Sequence, residues 1–264
     1  LDAELVRRGL IPSREQARTA VERGDVSVSG APATKPSRLV AADEPIVVAG
    51  PPPRFVGRGG EKLAAALERF AIDLTGRVVL DAGASTGGFT DCALQAGAAR
   101  VVAVDVGRGQ LHRRLLTDPR VDSRERTNVR HLAPGDLGPP VDVVVADLSF
   151  ISLRTVMEAL LGLVRAGGDL VWLVKPQFEA GRREASKNRG VISDPEVWHR
   201  VLDEVTGALR GHGAAIMGLM TSPLRGADGN VEFLLHGRAA TEQPDAVDVQ
   251  GAIDAAVHEA GTPT

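Results

Sequence analysis

From residue 78 onward, short valine-rich runs alternate with segments whose apolar residues recur at helical spacing. The strand-like runs are residues 78–84, 101–106, 141–148 and 170–175. Helices are predicted from residue 88, near residue 110, and over residues 153–164 and 197–209. This alternation predicts a parallel sheet within an α/β domain. Residues 215–220 and 231–235 are predicted to form a hairpin, and residues 252–259 a weak terminal helix.

The first 48 residues show a different pattern. Apolar positions at helical spacing over residues 5–10 and 17–21 predict two helices, and Ser13 is placed to cap the second. Short β-like runs follow at residues 26–28 and 46–48. We therefore predict a compact α+β module at this end of the chain.

The stretch Gly50-Pro51-Pro52-Pro53 is a stiff, polyproline-like break between the two patterns. We predict a small domain over residues 1–49, a linker over residues 50–56 and the α/β domain over residues 57–264.

Composition excludes several classes of protein. The single cysteine, Cys92, rules out an intramolecular disulfide framework and a multi-cysteine zinc site, and it suits a reducing compartment. We therefore expect a cytoplasmic protein and assign no metal site. No apolar run approaches the roughly 18 residues of a spanning helix, so membrane insertion is not expected. The formal net charge is -3, so a nucleic-acid partner must be argued from local clusters.

Residues 81–90, with the sequence DAGASTGGFT, join an apolar strand to a helix. Their small side chains let a nucleotide-like ligand approach the backbone at the helix N-terminus. Ser85 stands where a dinucleotide-binding G-x-G-x-x-G motif has its middle glycine, so the loop alone leaves a dehydrogenase open. Asp81 could hold a water or an ammonium group, and Asp105 ends the next strand, where a ribose diol would lie. The candidate cofactor-binding residues are Asp81, Gly83, Ser85, Thr86, Gly87, Gly88, Phe89, Asp105 and Asp147.

Charged residues stand at the ends of apolar runs where open α/β sheets bind ligands. Asp147 closes one strand, and Lys175 closes the next, which Pro176 stops. Glu232 lies in an apolar context, and Lys62 precedes a helical run. Each alone is as well explained by an ordinary ion pair or a solvated strand end. Together they predict one cleft that contains four opposed charges.

Five ordered segments carry a resemblance to a known family: residues 57–63, 81–90, 145–152, 174–179 and 229–232. Through them the chain resembles the TlyA family of ribosomal RNA 2'-O-methyltransferases, which share a Lys, Asp, Lys, Glu catalytic set with FtsJ-like RNA methyltransferases. The resemblance implies S-adenosylmethionine as cofactor. It also implies a Rossmann-like class I methyltransferase with a seven-stranded doubly wound sheet, preceded by an S4-like RNA-binding domain. Gly57 and Phe55 depart from the family, which often has serine and a larger aromatic there.

The resemblance assigns catalysis to Lys62, Asp147, Lys175 and Glu232. A ribose 2'-hydroxyl is a weak nucleophile, so a neutral Lys175 could take its proton while Lys62 orients the hydroxyl. The sequence leaves the protonation state of Lys175 open.

Two other kinds of methyl transfer fit the chain less well. Methylation at cytosine C5 normally needs a cysteine nucleophile, and Cys92 lies in the helix after the cofactor loop. Amino-group methyltransferases typically have a Pro-Pro-aromatic turn where this chain has Leu148-Ser149-Phe150. Ribose O-methylation is therefore the favoured prediction.

Arginine is concentrated between residues 108 and 130, a segment that contains seven arginines and only three acidic residues. The predicted RNA-binding residues, from this cluster and elsewhere, are Arg7, Arg8, Arg14, Arg18, Lys35, Arg58, Arg113, Arg114, Arg182, Arg183, Lys187 and Arg189. With 3% aromatic residues and no tyrosine, recognition is expected to rest on folded RNA shape and phosphates. We expect a monomer that acts on ribosomal RNA in assembled or near-assembled subunits. The resemblance implies a cytidine in 16S or 23S rRNA, or both, and susceptibility to capreomycin and viomycin.

Two alternatives come from other functional classes. A catalytically silent ribosome assembly factor would have a broken charged set or cofactor loop, and both are intact here. A haemolysin would need an exposed amphipathic or apolar segment, and none is evident.

Overall fold

A computed structural model of the protein describes residues 1–11, 13–50, 53–181, 184, 190–226, 228–240 and 244–262. The N-terminal elements are helices α1 (Asp2–Arg7) and α2 (Arg14–Glu22) and strands β1 (Val26–Val28), β2 (Ala31–Pro32) and β3 (Ile46–Val48). The strands form an antiparallel sheet in the order β2-β1-β3. Leu5, Val21 and Val28 belong to a separate apolar core under this sheet.

Two local predictions for this region have different outcomes. The Ser13 side chain accepts a hydrogen bond from the backbone N–H of Gln16 and caps α2, as predicted. Helix α1 begins and ends three residues earlier than the predicted 5–10. Gly9, with φ of +68°, follows its last turn, and glycine in this left-handed conformation commonly terminates helices.

The remaining elements alternate along the chain as predicted. The strands are β4 (Val78–Ala82), β5 (Arg100–Val104), β6 (Val121–Arg124), β7 (Val141–Ala146), β8 (Val164–Val174), β9 (Ala215–Thr221) and β10 (Phe233–Arg238). The helices are α3 (Gly59–Arg69), α4 (Gly88–Gln95), α5 (Arg113–Leu116), α6 (Leu153–Leu163), α7 (Pro176–Glu179), α8 (Pro195–Gly211) and α9 (Val249–Gly261). A 3-10 turn covers Val129–His131.

The seven strands form one sheet in the order β6-β5-β4-β7-β8-β10-β9. Strands β4 to β8 run parallel, while β10 lies antiparallel to both β8 and β9. The predicted hairpin is confirmed, although its second strand begins two residues later than predicted. The polar edge strand β6 was not predicted.

Apolar layers cover both faces of the sheet, which confirms the doubly wound α/β fold. One layer includes Leu63 of α3 and Phe89 of α4, and the other includes Met157 of α6 and Val201 of α8. Each fully buried side chain of this kind contributes about 1.5–3 kcal/mol. Strands covered on both faces are near-continuous apolar runs, which explains the valine-rich segments. Within the described residues, no helix is long and apolar enough to cross a membrane.

The strand register brings the charged residues together. Ala146 of β7 lies beside Trp172 of β8, so the two strands end at the same edge of the sheet. Val174 of β8 pairs with Phe233 of β10. The residues next to these positions in the chain are Asp147, Lys175 and Glu232.

Candidate active site

Four buried or partly buried charges form two ion pairs in one cavity. Lys62 Nζ lies 2.5 Å from Glu232 Oε2, and Lys175 Nζ lies 2.5 Å from Asp147 Oδ1. The exposed fractions are 8% for Lys62, 7% for Lys175 and 3% for Glu232. All four residues line a cavity of about 440 Å³. The structure therefore brings the predicted set together, while the catalytic role of each residue remains a prediction.

Helix α3 carries Lys62 to the cavity because its first turn packs closely on α4. A methyl group added at Gly88 would lie 2.9 Å from the backbone nitrogen of Gly60, so this approach requires glycine.

On the opposite side of the cavity, Glu232 ends the segment that connects β9 to β10. Sequence analysis missed the residue that braces this segment, Asn230. Its side chain accepts from the Ile192 N–H at 2.9 Å and donates to the Gly190 carbonyl at 3.1 Å.

Lys175 has a second polar partner. Its ammonium group donates to Ser149 Oγ at 3.1 Å, and it lies 5.9 Å from the centre of the Phe178 ring. Phe150, which follows Ser149 in the chain, is 92% exposed and has φ of +66°. Its ring lies 5.4 Å from that of Phe178. Asp147, Ser149 and Lys175 thus form a compact group at the ends of two neighbouring strands.

The loop between β4 and α4 forms another wall of this cavity. Gly83 has φ of +87°, and a Cβ there would lie 2.6 Å from the Asp147 carbonyl oxygen. Predicted cofactor-binding residues that line the cavity are Gly83, Ser85, Thr86, Gly88, Phe89 and Asp147. Among the predicted loop glycines, Gly87 alone does not line this cavity. A Cβ on it would lie 2.2 Å from Leu115 Cδ1, so its small size serves packing against α5 rather than ligand approach.

Asp81 lies fully buried beneath the loop. Thr90 Oγ1 donates to its Oδ2 at 2.6 Å, whereas its Oδ1 has no hydrogen-bond partner among the described residues. Burial, opposed in part by the Thr90 hydrogen bond, raises the pKa of Asp81 to about 7, and the nearby negative charges of Asp147 and Asp105 add to the increase. An orphaned carboxylate oxygen fits a cationic group. The site therefore suits the ammonium group of S-adenosylmethionine.

A second cavity of about 450 Å³ opens between the ends of β4, β5 and β7. It shares Gly83, Ser85, Asp147, Ser149 and Phe150 with the first, so the two cavities meet at Asp147. Asp105 lines it and accepts from the backbone N–H groups of Ser85 at 2.8 Å and Gly107 at 2.7 Å. Sequence analysis missed the side chains of Asn128, Val106 and Leu148 on its other walls. Of these three residues, only Leu148 lies in one of the five segments that carry the family resemblance, residues 145–152.

Four predicted RNA-binding arginines of the N-terminal region form ion pairs within that region. Arg7 and Arg8 bind Glu4, while Arg14 and Arg18 bind the buried Asp2. Arg8 also donates to the carbonyl oxygens of Ala41, Ala42 and Glu44. Its guanidinium group thus connects α1 to the segment before β3, a structural role that the sequence did not reveal.

Four further residues of the predicted RNA-binding set lie within the described part of the chain. Lys35 and Arg113 are exposed, and Arg114 binds Asp91. Arg58 lies on the rim of the main cavity and forms an ion pair with Glu15 of α2. Within the arginine-rich segment, Arg120 and Arg124 pair with neighbouring aspartates, which reduces the free positive charge. The predicted residues Arg182, Arg183, Lys187 and Arg189 lie outside the described residues.

Both parts of the chain match known protein families. Residues 55–239 match the FtsJ-like methyltransferase family, and residues 1–46 match the S4 domain. The chain is 48% identical over 261 residues to the 16S/23S rRNA (cytidine-2'-O)-methyltransferase TlyA of Mycobacterium tuberculosis, with 98% of this chain and 96% of that protein covered. It is 45% identical over 238 residues to the putative rRNA methyltransferase YqxC of Bacillus subtilis, with coverage of 89% and 84%. A solved structure of a putative hemolysin from Streptococcus thermophilus matches with a TM-score of 0.80 and 38% identity, covering 98% of this chain and 94% of that chain.

Proposed function

We propose, because this chain belongs to the FtsJ-like methyltransferase family, that it transfers a methyl group from S-adenosylmethionine to a ribose 2'-hydroxyl of ribosomal RNA. The observation that carries the proposal is the pair of ion pairs, Lys62 with Glu232 and Lys175 with Asp147, beside a glycine-rich cofactor loop. Lys175 lines the first cavity and contacts Asp147, where the two cavities meet, so its amine lies next to the place where an acceptor hydroxyl and a methyl donor would come together. A dehydrogenase would leave Lys62, Lys175 and Glu232 unexplained.

The residues that would hold S-adenosylmethionine lie beneath the loop and along the walls of the second cavity. Asp81 would take the ammonium group, Asp105 the ribose hydroxyls, and Asn128 with Leu148 would contact the base. When bound, the cofactor supplies a methyl group on a positively charged sulfur. Gly83 leaves room for it next to the Asp147 backbone.

The protein's own part in the reaction is positioning and proton transfer. Lys62, held by Glu232, donates a hydrogen bond that orients the 2'-hydroxyl. Lys175, in its neutral form, takes the hydroxyl proton as the oxygen forms its bond to the methyl carbon. S-adenosylmethionine would supply the methyl carbon, and its sulfur would keep the electron pair of the broken carbon–sulfur bond. Alignment of the two reacting atoms contributes most of the rate enhancement.

Several finer points belong to the same proposal. The name of the Mycobacterium tuberculosis relative supports a cytidine in 16S or 23S rRNA as the target. By the family resemblance, methylation there would make ribosomes susceptible to capreomycin and viomycin. We place the RNA-binding domain at residues 1–49, the linker at 50–56 and the methyltransferase domain at 57–264. The enzyme acts as a monomer on assembled or near-assembled subunits. Because ribosomes are cytoplasmic particles, the proposal implies a cytoplasmic enzyme.

The test is transfer of labelled methyl from S-adenosylmethionine to purified 30S and 50S subunits from cells that lack this modification. The proposal expects label in RNA with the wild-type protein and loss of at least a hundredfold in rate with Lys175→Ala. Arg69→Ala, which removes an exposed arginine that lines neither cavity and lies outside the predicted RNA-binding set, serves as the control for catalysis at saturating subunits. Cofactor binding without transfer to either subunit would favour the assembly factor instead.

A further inference from the structure

We propose that Ser149 is a positioning residue that fixes the direction of the Lys175 amino group, an inference that rests on the function proposed above. The Lys175 nitrogen has two polar contacts among the described residues, Asp147 Oδ1 at 2.5 Å and Ser149 Oγ at 3.1 Å. Lys175 is 7% exposed, so solvent offers its nitrogen few other partners. Ser149 does not belong to the predicted catalytic set of Lys62, Asp147, Lys175 and Glu232.

The need for a second acceptor follows from the tetrahedral geometry of the amine. One direction at Nζ is taken by the carbon chain, and one N–H points to Asp147. With a single acceptor the amine can still rotate and tilt about that hydrogen bond. A second acceptor at Ser149 Oγ fixes another N–H direction. In the neutral amine the remaining direction is the lone pair, which is the one that must face the 2'-hydroxyl.

The loop that carries Ser149 is itself tied to the segment that carries Lys175. Glu179 of α7, which is 4% exposed, accepts from Ser152 Oγ at 2.5 Å and from the Leu153 N–H at 2.6 Å. Phe150 adopts a left-handed conformation that costs a non-glycine residue about 1–2 kcal/mol. The loop is therefore held in one conformation by the same short helix that follows Lys175. A strained and braced turn of this kind suits a residue whose position matters.

The role makes a specific kinetic prediction. During the reaction the 2'-hydroxyl proton passes to Nζ, the oxygen–carbon bond forms, and the carbon–sulfur electron pair goes to sulfur. Ser149 does not touch the transferred proton, so its removal misdirects the lone pair without removing the base. Ser149→Ala should lower the single-turnover rate about tenfold at saturating subunits and leave KM for subunits unchanged. Ser149→Thr, which retains the hydroxyl, should stay within about threefold of wild type.

A second measurement does not depend on methyl transfer. The chain contains only four lysines, so ¹⁵N-lysine labelling gives a simple spectrum of side-chain nitrogens. Lys175→Arg identifies the Lys175 signal by its disappearance. We expect Ser149→Ala to shift or broaden that signal and to leave the Lys62 signal in place. Ser193→Ala, which changes an exposed serine outside both cavities, is the matched control.

The outcomes separate this inference from the proposed function. A slower chemical step in Ser149→Ala, near-normal rates in Ser149→Thr and a changed Lys175 signal would support it. Wild-type rates in Ser149→Ala, a defect only in KM, or equal defects in both variants would overturn it. If the wild-type protein transfers no methyl group, the proposed function fails. In that case the ¹⁵N signal of Lys175 still tests the contact between Ser149 and Lys175, because an unchanged signal in Ser149→Ala would refute it.

Discussion

The ammonium group of Lys62 lies 2.5 Å from the carboxylate of Glu232, although 170 residues separate the two in the chain. Both side chains are nearly excluded from solvent, with Glu232 only 3% exposed. Two charges removed from water in this way stabilise each other but gain little overall, because each has lost its hydration. The pair therefore adds little net stability, and we propose that it serves to hold Lys62 in position.

Removal of one partner leaves the other charge buried and unpaired. We expect Lys62→Met to lower the free energy of unfolding by about 3 kcal/mol, and the double variant Lys62→Met/Glu232→Leu to recover much of that loss. Both tryptophans, Trp172 and Trp198, lie in the α/β domain, so urea unfolding followed by tryptophan fluorescence reports on it alone. Lys35→Met is the exposed control. Additive effects of the two substitutions would contradict the buried pair.

Asp81 should make both stability and cofactor binding depend on pH. Burial raises its pKa to about 7, against an ordinary value of 3.8, so the folded protein binds more protons than the unfolded chain between these values. Stability should therefore fall as pH rises from about 4 to about 7, and Asp81→Asn should abolish that part of the dependence. Binding of a cationic ammonium favours the ionised carboxylate. We expect calorimetry to show affinity for S-adenosylmethionine about tenfold higher at pH 8 than at pH 6 in the wild type, and no such gain in Asp81→Asn.

Gly83 tests the close approach between the cofactor loop and the end of β7. Gly83→Ala forces a side chain into a left-handed conformation and places Cβ 2.6 Å from the Asp147 carbonyl oxygen. Cofactor affinity should fall at least tenfold. Gly135→Ala is the matched control, because Gly135 has φ of +97° and open space around it. An equal loss of cofactor affinity in Gly83→Ala and Gly135→Ala would show that general destabilisation by backbone strain, and not the approach to Asp147, accounts for the loss.

Glu15 places a negative charge on the rim of a cavity that is proposed to receive RNA. Its ion pair with Arg58 competes with RNA phosphate for the same guanidinium group. Glu15→Gln should tighten binding of ribosomal subunits by about threefold at low salt, and the gain should shrink as salt is raised. Glu22→Gln, on the same helix but outside the cavity, changes the net charge equally. An equal gain in both variants would mean that overall charge, and not Arg58, is responsible.

Much of the fold and the charged set could be predicted because the relevant information is local. Valine-rich runs that end in Asp147 and Lys175 indicate buried parallel strands whose ends carry polar side chains. The resemblance inferred from five motifs is confirmed by the matching family and by the relatives. The doubly wound sheet follows from the same alternation.

The rest depends on contacts between distant segments. Strand β6 was missed because its sequence, Val-Asp-Ser-Arg, is polar and pairs only at the edge of the sheet. Arg8 resembled an RNA contact until its carbonyl partners, more than 30 residues away, were visible. Asn128 likewise has no local pattern that distinguishes it from a surface residue, and the motif that contains Asn230 does not show its contacts with Ile192 and Gly190. Sequence periodicity predicts which residues are buried but not which polar groups they meet.

The most direct measurement identifies the nucleoside that carries the transferred methyl group. RNA from treated subunits would be digested to nucleosides and analysed by mass spectrometry, with Lys175→Ala treated in parallel. We predict a 2'-O-methylated nucleoside, 2'-O-methylcytidine, that forms with the wild-type protein and is absent with the variant. A methyl group on a base, or equal 2'-O-methylation by Lys175→Ala, would contradict the proposed chemistry at this site.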